Sequence, residues 1–108
     1  MAKIDIITLT GLTANDGSEI ASGATVKFSS EFQVGKTKVM VRPEVYRNRE
    51  LFEAGYNQIQ TGDIPNEFQL VYNETEFYVI TPQQLYDDVC DYLNDLFGVT
   101  AFEVVIIP

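Results

Sequence analysis

The side chains that could do chemistry in this chain are few. There is no histidine, and Cys90 is the single cysteine. A zinc site or a His-dependent catalytic triad therefore has no donors to draw on. Cys90 falls on the apolar stripe of an expected helix and has no base to activate it, so it reads as a buried thiol rather than a nucleophile. The tripeptide Gly35-Lys36-Thr37 has the ending of a phosphate loop. That motif needs a glycine where Ser30 stands and a strand-loop-helix context, and here strand patterns lie on both sides. Glu74 and Glu76 could be paired as glycosidase acids, but they sit at an expected hairpin turn with no cleft implied, and read as surface residues. Asp87, Asp91 and Asp95 recur every four residues with Asp88 beside them, so they share one helix face. Calcium would need a liganding loop that this spacing lacks. The row reads first as a solvated face and second as a protein contact. No catalytic residue, metal or cofactor is expected.

Charge is the unusual property. Residues 1–49 hold all seven Lys and Arg against five acids, a balance of +2, and residues 50–108 hold eleven acids and nothing basic, a balance of −11. The resulting −9 keeps a small domain soluble and opposes contact with nucleic acid phosphates or an anionic membrane. Either the asymmetry is ordinary surface, or the acidic half meets something positive. On the second reading, Arg42, Arg47 and Arg49 are the expected donors to a neighbouring copy or another partner. Tyr and Arg favour interfaces, so Arg42, Tyr46, Arg47, Arg49, Phe52 and Tyr56 form one candidate contact patch, and Asp87, Asp88, Asp91 and Asp95 form the acidic counterpart. Phe52 packing back as a loop anchor is an equal alternative.

The elements that would position these groups are mostly strands. A length of 108 residues implies one domain over 1–108. "KIDIITLTG" carries apolar residues on both faces and reads as a well-buried strand. "LTANDGSEIASG" is turn chemistry. In "TVKFSSEFQ" the residues Val26, Phe28, Ser30 and Phe32 alternate with polar ones, and "KTKVMVR" pairs with it through a connection at Val34-Gly35, a hairpin over 25–42. Pro43 confines the residues after it to an edge or a bend. "NRELFEAG" predicts a short helix capped by Asn48 and ended by Gly55. "YNQIQTGDIPN" is a long loop. "EFQLVYN" and "TEFYVI" predict a second hairpin around Asn73-Glu74.

The strongest helix signal is "TPQQLYDDVCDYLNDLFG". Thr81 is the N-cap, Pro82 the first helical residue and Gln84 the partner in a capping box, with Gly98 as the stop. Its apolar stripe is Leu85, Val89, Tyr92, Leu93 and Leu96, flanked by Tyr86, Cys90 and Phe97. The nearly continuous apolar run "TAFEVVIIP" belongs in the middle of a sheet, and the strand before the helix could join it in a right-handed β-α-β unit. The class is α+β: a mostly antiparallel or mixed sheet with one C-terminal amphipathic helix packed on it, followed by a final central strand. No apolar run is long enough to span a bilayer. "MAKIDIITLTG" lacks a signal-peptide pattern. One cysteine excludes a disulfide framework, so folding in the cytosol is expected.

The segments "GLTANDGSEIASGATVKF", "YRNRELFEAGY" and "TPQQLYDDVCDYLNDLFG" give the chain the style of an acidic β-rich unit with Gly and Asn-Asp turns and one capped C-terminal helix. In this it resembles the small virion structural proteins of tailed bacteriophages, those of the crAss-like phages in particular. The resemblance implies a non-enzymatic assembly subunit, made in the host cytoplasm and residing in the virion. It also implies an auxiliary capsid role ahead of a neck or tail role, with other virion proteins and further copies as partners, no membrane contact and no direct nucleic acid binding. Packing in such an assembly would tie down the chain ends at Met1 and Pro108. A reading of another class is an acidic inhibitor that mimics nucleic acid and occupies a basic cleft.

Overall fold

The computed structural model describes residues 3–107. In chain order these form β1 (Lys3–Thr8), β2 (Leu12–Thr13), β3 (Glu19–Ile20), β4 (Thr25–Gln33), β5 (Lys38–Tyr46), α1 (Arg49–Glu53), β6 (Phe68–Val71), α2 (Glu74–Phe77), α3 (Pro82–Phe97) and β7 (Phe102–Ile107). The fold is α+β. Five strands make one antiparallel sheet in the order β6-β5-β4-β1-β7, and β2 pairs with β3 apart from it. The chain ends at Met1 and Pro108 lie outside the described residues.

Period-two alternation builds the central hairpin as expected. Phe28 pairs with Pro43, Ser30 with Val41 and Phe32 with Val39, so these side chains share a face, and Val26, Val39 and Val41 are fully buried there. The connection is a 3₁₀ turn, Val34–Lys36, closed by Thr37 at a left-handed φ of 50° rather than a two-residue turn. Pro43 lies inside β5, neither at a bend nor on an edge strand, and the ladder explains why it is tolerated. Val45 accepts a bond from Ile59 on the side away from β4, so its alternate neighbour Pro43 turns the same way. β6 has ended by then, since its last partner on β5 is Val41, and no ladder bond is lost.

α3 lies on the face carrying Val26 and Val41. Thr81 Oγ1 accepts from Gln84 N at 3.1 Å, half of the expected capping box, and Gly98 stops the helix at φ 72°. Leu85, Val89, Cys90 and Leu93 are buried. Tyr86 packs on Phe28, Tyr92 stacks on Phe68, and Phe97 meets Phe102 edge-on. Leu96 is exposed, contrary to its place in the expected stripe. The buried row runs Leu85, Val89, Leu93 at four-residue steps and continues to Phe97.

Three expectations are corrected. The strand expected over "TEFYVI" is the one-turn helix α2 followed by a turn, so no second hairpin forms. Asn73 Oδ1 accepts from Glu76 N at 2.8 Å, and Glu74 and Glu76 lie in the first turn, where the helix dipole favours negative charge. With that strand absent and β7 antiparallel to β1, the described residues form no β-α-β unit. β7 is not central either: it is an edge of the sheet. The long loop is tied down from both ends. Asn15 N donates to Gln60 O, Thr13 N donates to Asp63 Oδ2, and Ile64 is buried. Leu12 and Ile20, paired in the small sheet, join the same core.

Candidate functional site

Strands β1 and β4 pair only at Ile6–Val26 and Ile7–Thr25. Towards Lys3 they part, and the fork holds the most concentrated polar cluster of the molecule. Asp5 sits in it with 1% of its surface exposed. Lys27, next along β4, fills the gap: its ammonium lies 2.9 Å from Asp5 Oδ1, 3.2 Å from the Ile4 carbonyl and 3.1 Å from Tyr86 Oη. All three of its donors are used, one of them on a carbonyl that the diverging strand leaves free. Arg49 Nη1 grips the other Asp5 oxygen, and Arg49 Nε holds Glu53 Oε1 at 2.6 Å. The rings of Phe52 and Tyr86 lie 5.2 and 5.4 Å from the ammonium, within cation–π range.

The short helix α1 delivers Arg49 and Phe52 to this cluster. Asn48 Oδ1 accepts from Leu51 N at 2.9 Å, and Gly55 ends the turn at φ 84°. Burial works against the Lys27 charge, but the bonds to Asp5 and Tyr86 outweigh it and hold its pKa above the ordinary lysine value. A charged ammonium with every donor engaged is an anchor, not a nucleophile or a base. Outside it lies an open depression of about 450 Å³, bordered by Lys3, Glu53, Phe52, Pro82 and Tyr86. Lys3 approaches Glu53 at 3.6 Å across it, and Arg49 first, then Lys3, keep the Glu53 carboxyl below its usual range.

The residues nominated from sequence do not form one patch. Arg49 is turned inward onto Asp5, and Phe52 lies between Lys27 and Tyr46, its ring 4.9 Å from the Tyr46 ring. Tyr46 is nearly buried and donates to Glu44 at 2.9 Å. These three belong to the cover of the fork. Arg42 stands elsewhere on β5, 3.4 Å from Glu67 and 3.9 Å from Glu31. Part of the acid-only half is thus offset within the chain, by Arg49 on Glu53 and Arg42 on Glu67. Arg47 remains outward, with one long bond to the Glu19 carbonyl, and Tyr56 is exposed.

The α3 acids divide as well. Asp88 is half-buried and accepts from Tyr72 Oη at 2.6 Å; burial, then Asp88, push that phenol well above its usual pKa. Asp87, Asp91 and Asp95 are exposed. Among the described residues, no group of three His, Cys, Asp or Glu is placed to hold a metal ion, and no helix is long and apolar enough to cross a membrane.

The outer edge of β7 is another place where backbone groups lose a strand. Leu9 N donates to Ala101 O, while Thr8 N donates to Ala24 O on the opposite side of β1. In an antiparallel ladder, alternate residues face the partner. Glu103, Val105 and Ile107 therefore bond β1, and Phe102, Val104 and Ile106 point their N–H and C=O groups outward. Asn94 of α3 serves the first of these as a surrogate strand. Its Oδ1 accepts from Ala101 N and Phe102 N, both at 2.8 Å, and its Nδ2 donates to Phe102 O at 3.2 Å. Val104 and Ile106 have no such partner among the described residues, and the Ile106 side chain is 52% exposed.

No protein-family model matches the chain, and no curated protein or solved structure does so either.

Asp5, Lys27, Tyr86 and Asn94 escaped the sequence reading as site residues. Asp5 had a signal: a carboxylate inside the apolar run "KIDII" must find a cation if that strand is buried on both faces. Asn94 had none, because what its amide reaches depends on where β7 returns.

Proposed function

We propose that this chain is a non-enzymatic assembly subunit of a virion, an auxiliary capsid protein that works through protein–protein contacts. One observation carries the contact role. β7, apolar along almost its whole length, forms the rim of the sheet with the outward backbone groups of Val104 and Ile106 open. Natural sheets blunt such edges with Lys, Pro, bulges or a covering element, because an open apolar edge recruits another chain. Here the strand carries one charge, Glu103, and Asn94 covers only its first residue. The virion assignment rests on the three segments that resemble tailed-phage structural proteins.

The test is co-purification. An antibody against the chain should find it in gradient-purified particles, with many copies per particle for a capsid auxiliary and a small fixed ring for a neck or tail subunit. Arg47→Glu removes an outward cation without touching the Asp5 cluster, and should leave folding intact. Finding the chain only free in lysate, never in particles, overturns the virion reading.

The nucleic acid mimic stands second, on the row Asp87, Asp91 and Asp95 along one exposed helix face. Four-residue steps space these charges by about 6 Å along the helix axis. A nucleic acid strand carries one charge per roughly 3.4 Å of axis, so the row has about half that density. Competition with duplex DNA for a basic DNA-binding protein would bring this reading forward.

A further inference from the structure

We propose that the open edge of β7 takes up a short strand from a different, basic protein, one in which apolar residues alternate with Lys or Arg. This rests on the reading of the chain as a subunit that acts through protein contacts, and it names the chemistry of the partner. Bond direction defines the site. Val104 and Ile106 present two N–H and two C=O groups outward, and Asn94 blocks the edge at Phe102. The free stretch therefore accommodates a strand of about five residues, an ordinary strand length.

Charge selects the occupant. Tyr92 and Asp88 mark the side of α3 that faces β6 and Tyr72, and Asn94 marks the side that overhangs β7. Asp91 and Asp87 lie one and two turns before Asn94 on that shoulder, both exposed. Glu103, the one charge on β7, is exposed as well. A strand added at ladder spacing would lie on the Asn94 side of α3, the side that also carries Asp87 and Asp91, and beside Glu103. No Lys or Arg stands on α3 or β7 to balance them. A second copy is the wrong occupant. Antiparallel pairing of β7 with its twin keeps both α3 helices on one face and sets Asp87 and Asp91 against the same residues of the twin. Like charges juxtaposed across an interface suppress pairing.

The experiment uses the full chain and two fluorescein-labelled ten-residue peptides, one alternating Val with Lys and one alternating Val with Glu. Binding is read by anisotropy, and amide hydrogen exchange is followed at Val104 and Ile106. The Lys peptide should bind and slow exchange at those two amides by at least about tenfold, and the Glu peptide should do neither. Asp87→Asn with Asp91→Asn should weaken the Lys peptide by about tenfold and flatten its salt dependence. Val104→Pro should abolish binding, and Ile106→Pro does the same at the other open N–H should the first variant lose its fold. Equal binding of both peptides, or Lys-peptide binding that survives both prolines, overturns the inference. Slowed exchange that appears with protein concentration alone would mean self-pairing; it too overturns the basic partner while leaving an assembly role standing. Lys-peptide binding by a chain absent from particles keeps the inference and removes the virion reading.

Discussion

Where β1 parts from β4, the freed carbonyl of Ile4 is taken up by Lys27, whose charge is matched by Asp5 and covered by Phe52 and Tyr86. Along the outer side of β7 only Phe102 is served in this way, by Asn94, and Val104 and Ile106 are left open. Both regions lose a neighbouring strand. In the fork a buried charged cluster takes the place of the missing backbone at Ile4; on the rim a single neutral amide does so at Phe102. The difference separates a feature of folding from a feature of association. Asp5 is only 1% exposed and cannot meet a partner, whereas the Val104–Ile106 edge meets solvent or another strand.

The comparison breaks most sharply at Asp5. Asp5→Ala leaves Lys27 and Arg49 facing each other without their shared carboxylate, and should lower stability by about 3–5 kcal/mol in urea denaturation, the range for breaking a buried pair from one side. Lys27→Met keeps the Arg49–Asp5 contact and should lose less. Loss of under about 1 kcal/mol in Asp5→Ala would place the carboxylate in water and dissolve the distinction between fork and rim.

Asn94→Leu tests the one place where the rim is treated like the fork. It removes the acceptor of two backbone N–H groups and the donor to one carbonyl, so it should cost about 1–3 kcal/mol and speed amide exchange at Ala101 and Phe102. An unchanged midpoint would show that water serves this edge as well as the amide does.

Alkaline titration sharpens the contrast further. The unfolded Cys90 thiol ionises near 9 and the buried one near about 11, so between these values the unfolded chain binds fewer protons and stability falls as pH rises. Lys27 acts in the same direction from a higher start. Its folded pKa is raised above 10.5, so its contribution is complete below 10.5 and is lost as pH climbs through the folded value. Cys90→Ala should flatten the earlier part of the decline and Lys27→Met the later part. A decline unchanged in both variants would put its origin elsewhere.

The smallest effect is expected on the rim. Val104→Pro deletes an N–H that bonds nothing in the isolated chain, and should shift stability by no more than about 0.5 kcal/mol. A loss of several kcal/mol would mean that the N–H of Val104 faces β1 and that the ladder phase is reversed.

Elements governed by neighbours in sequence were legible from residues alone. Thr81, Pro82 and Gly98 bound α3, Asn48 and Gly55 bound α1, and alternation from Val26 to Phe32 wrote the hairpin face, because caps and period two act within a few residues. The segment after Asn73 marks the limit of that reading. Its "TEFYVI" alternates like a strand, yet the Asn73 cap and the early Glu74 and Glu76 favour one helical turn, and only the missing strand neighbour decides between them. The candidate site lay further beyond reach. Sequence placed Asp5 in a buried strand but named no partner for it. That Lys27 and Arg49 answer Asp5, across 22 and 44 residues, depends on the divergence of β1 from β4 and on how α1 covers the gap. The same holds for β7. Its apolar run states that both faces are covered but not by what, because burial is set by whichever element comes to lie alongside, and among the described residues no strand lies beyond β7.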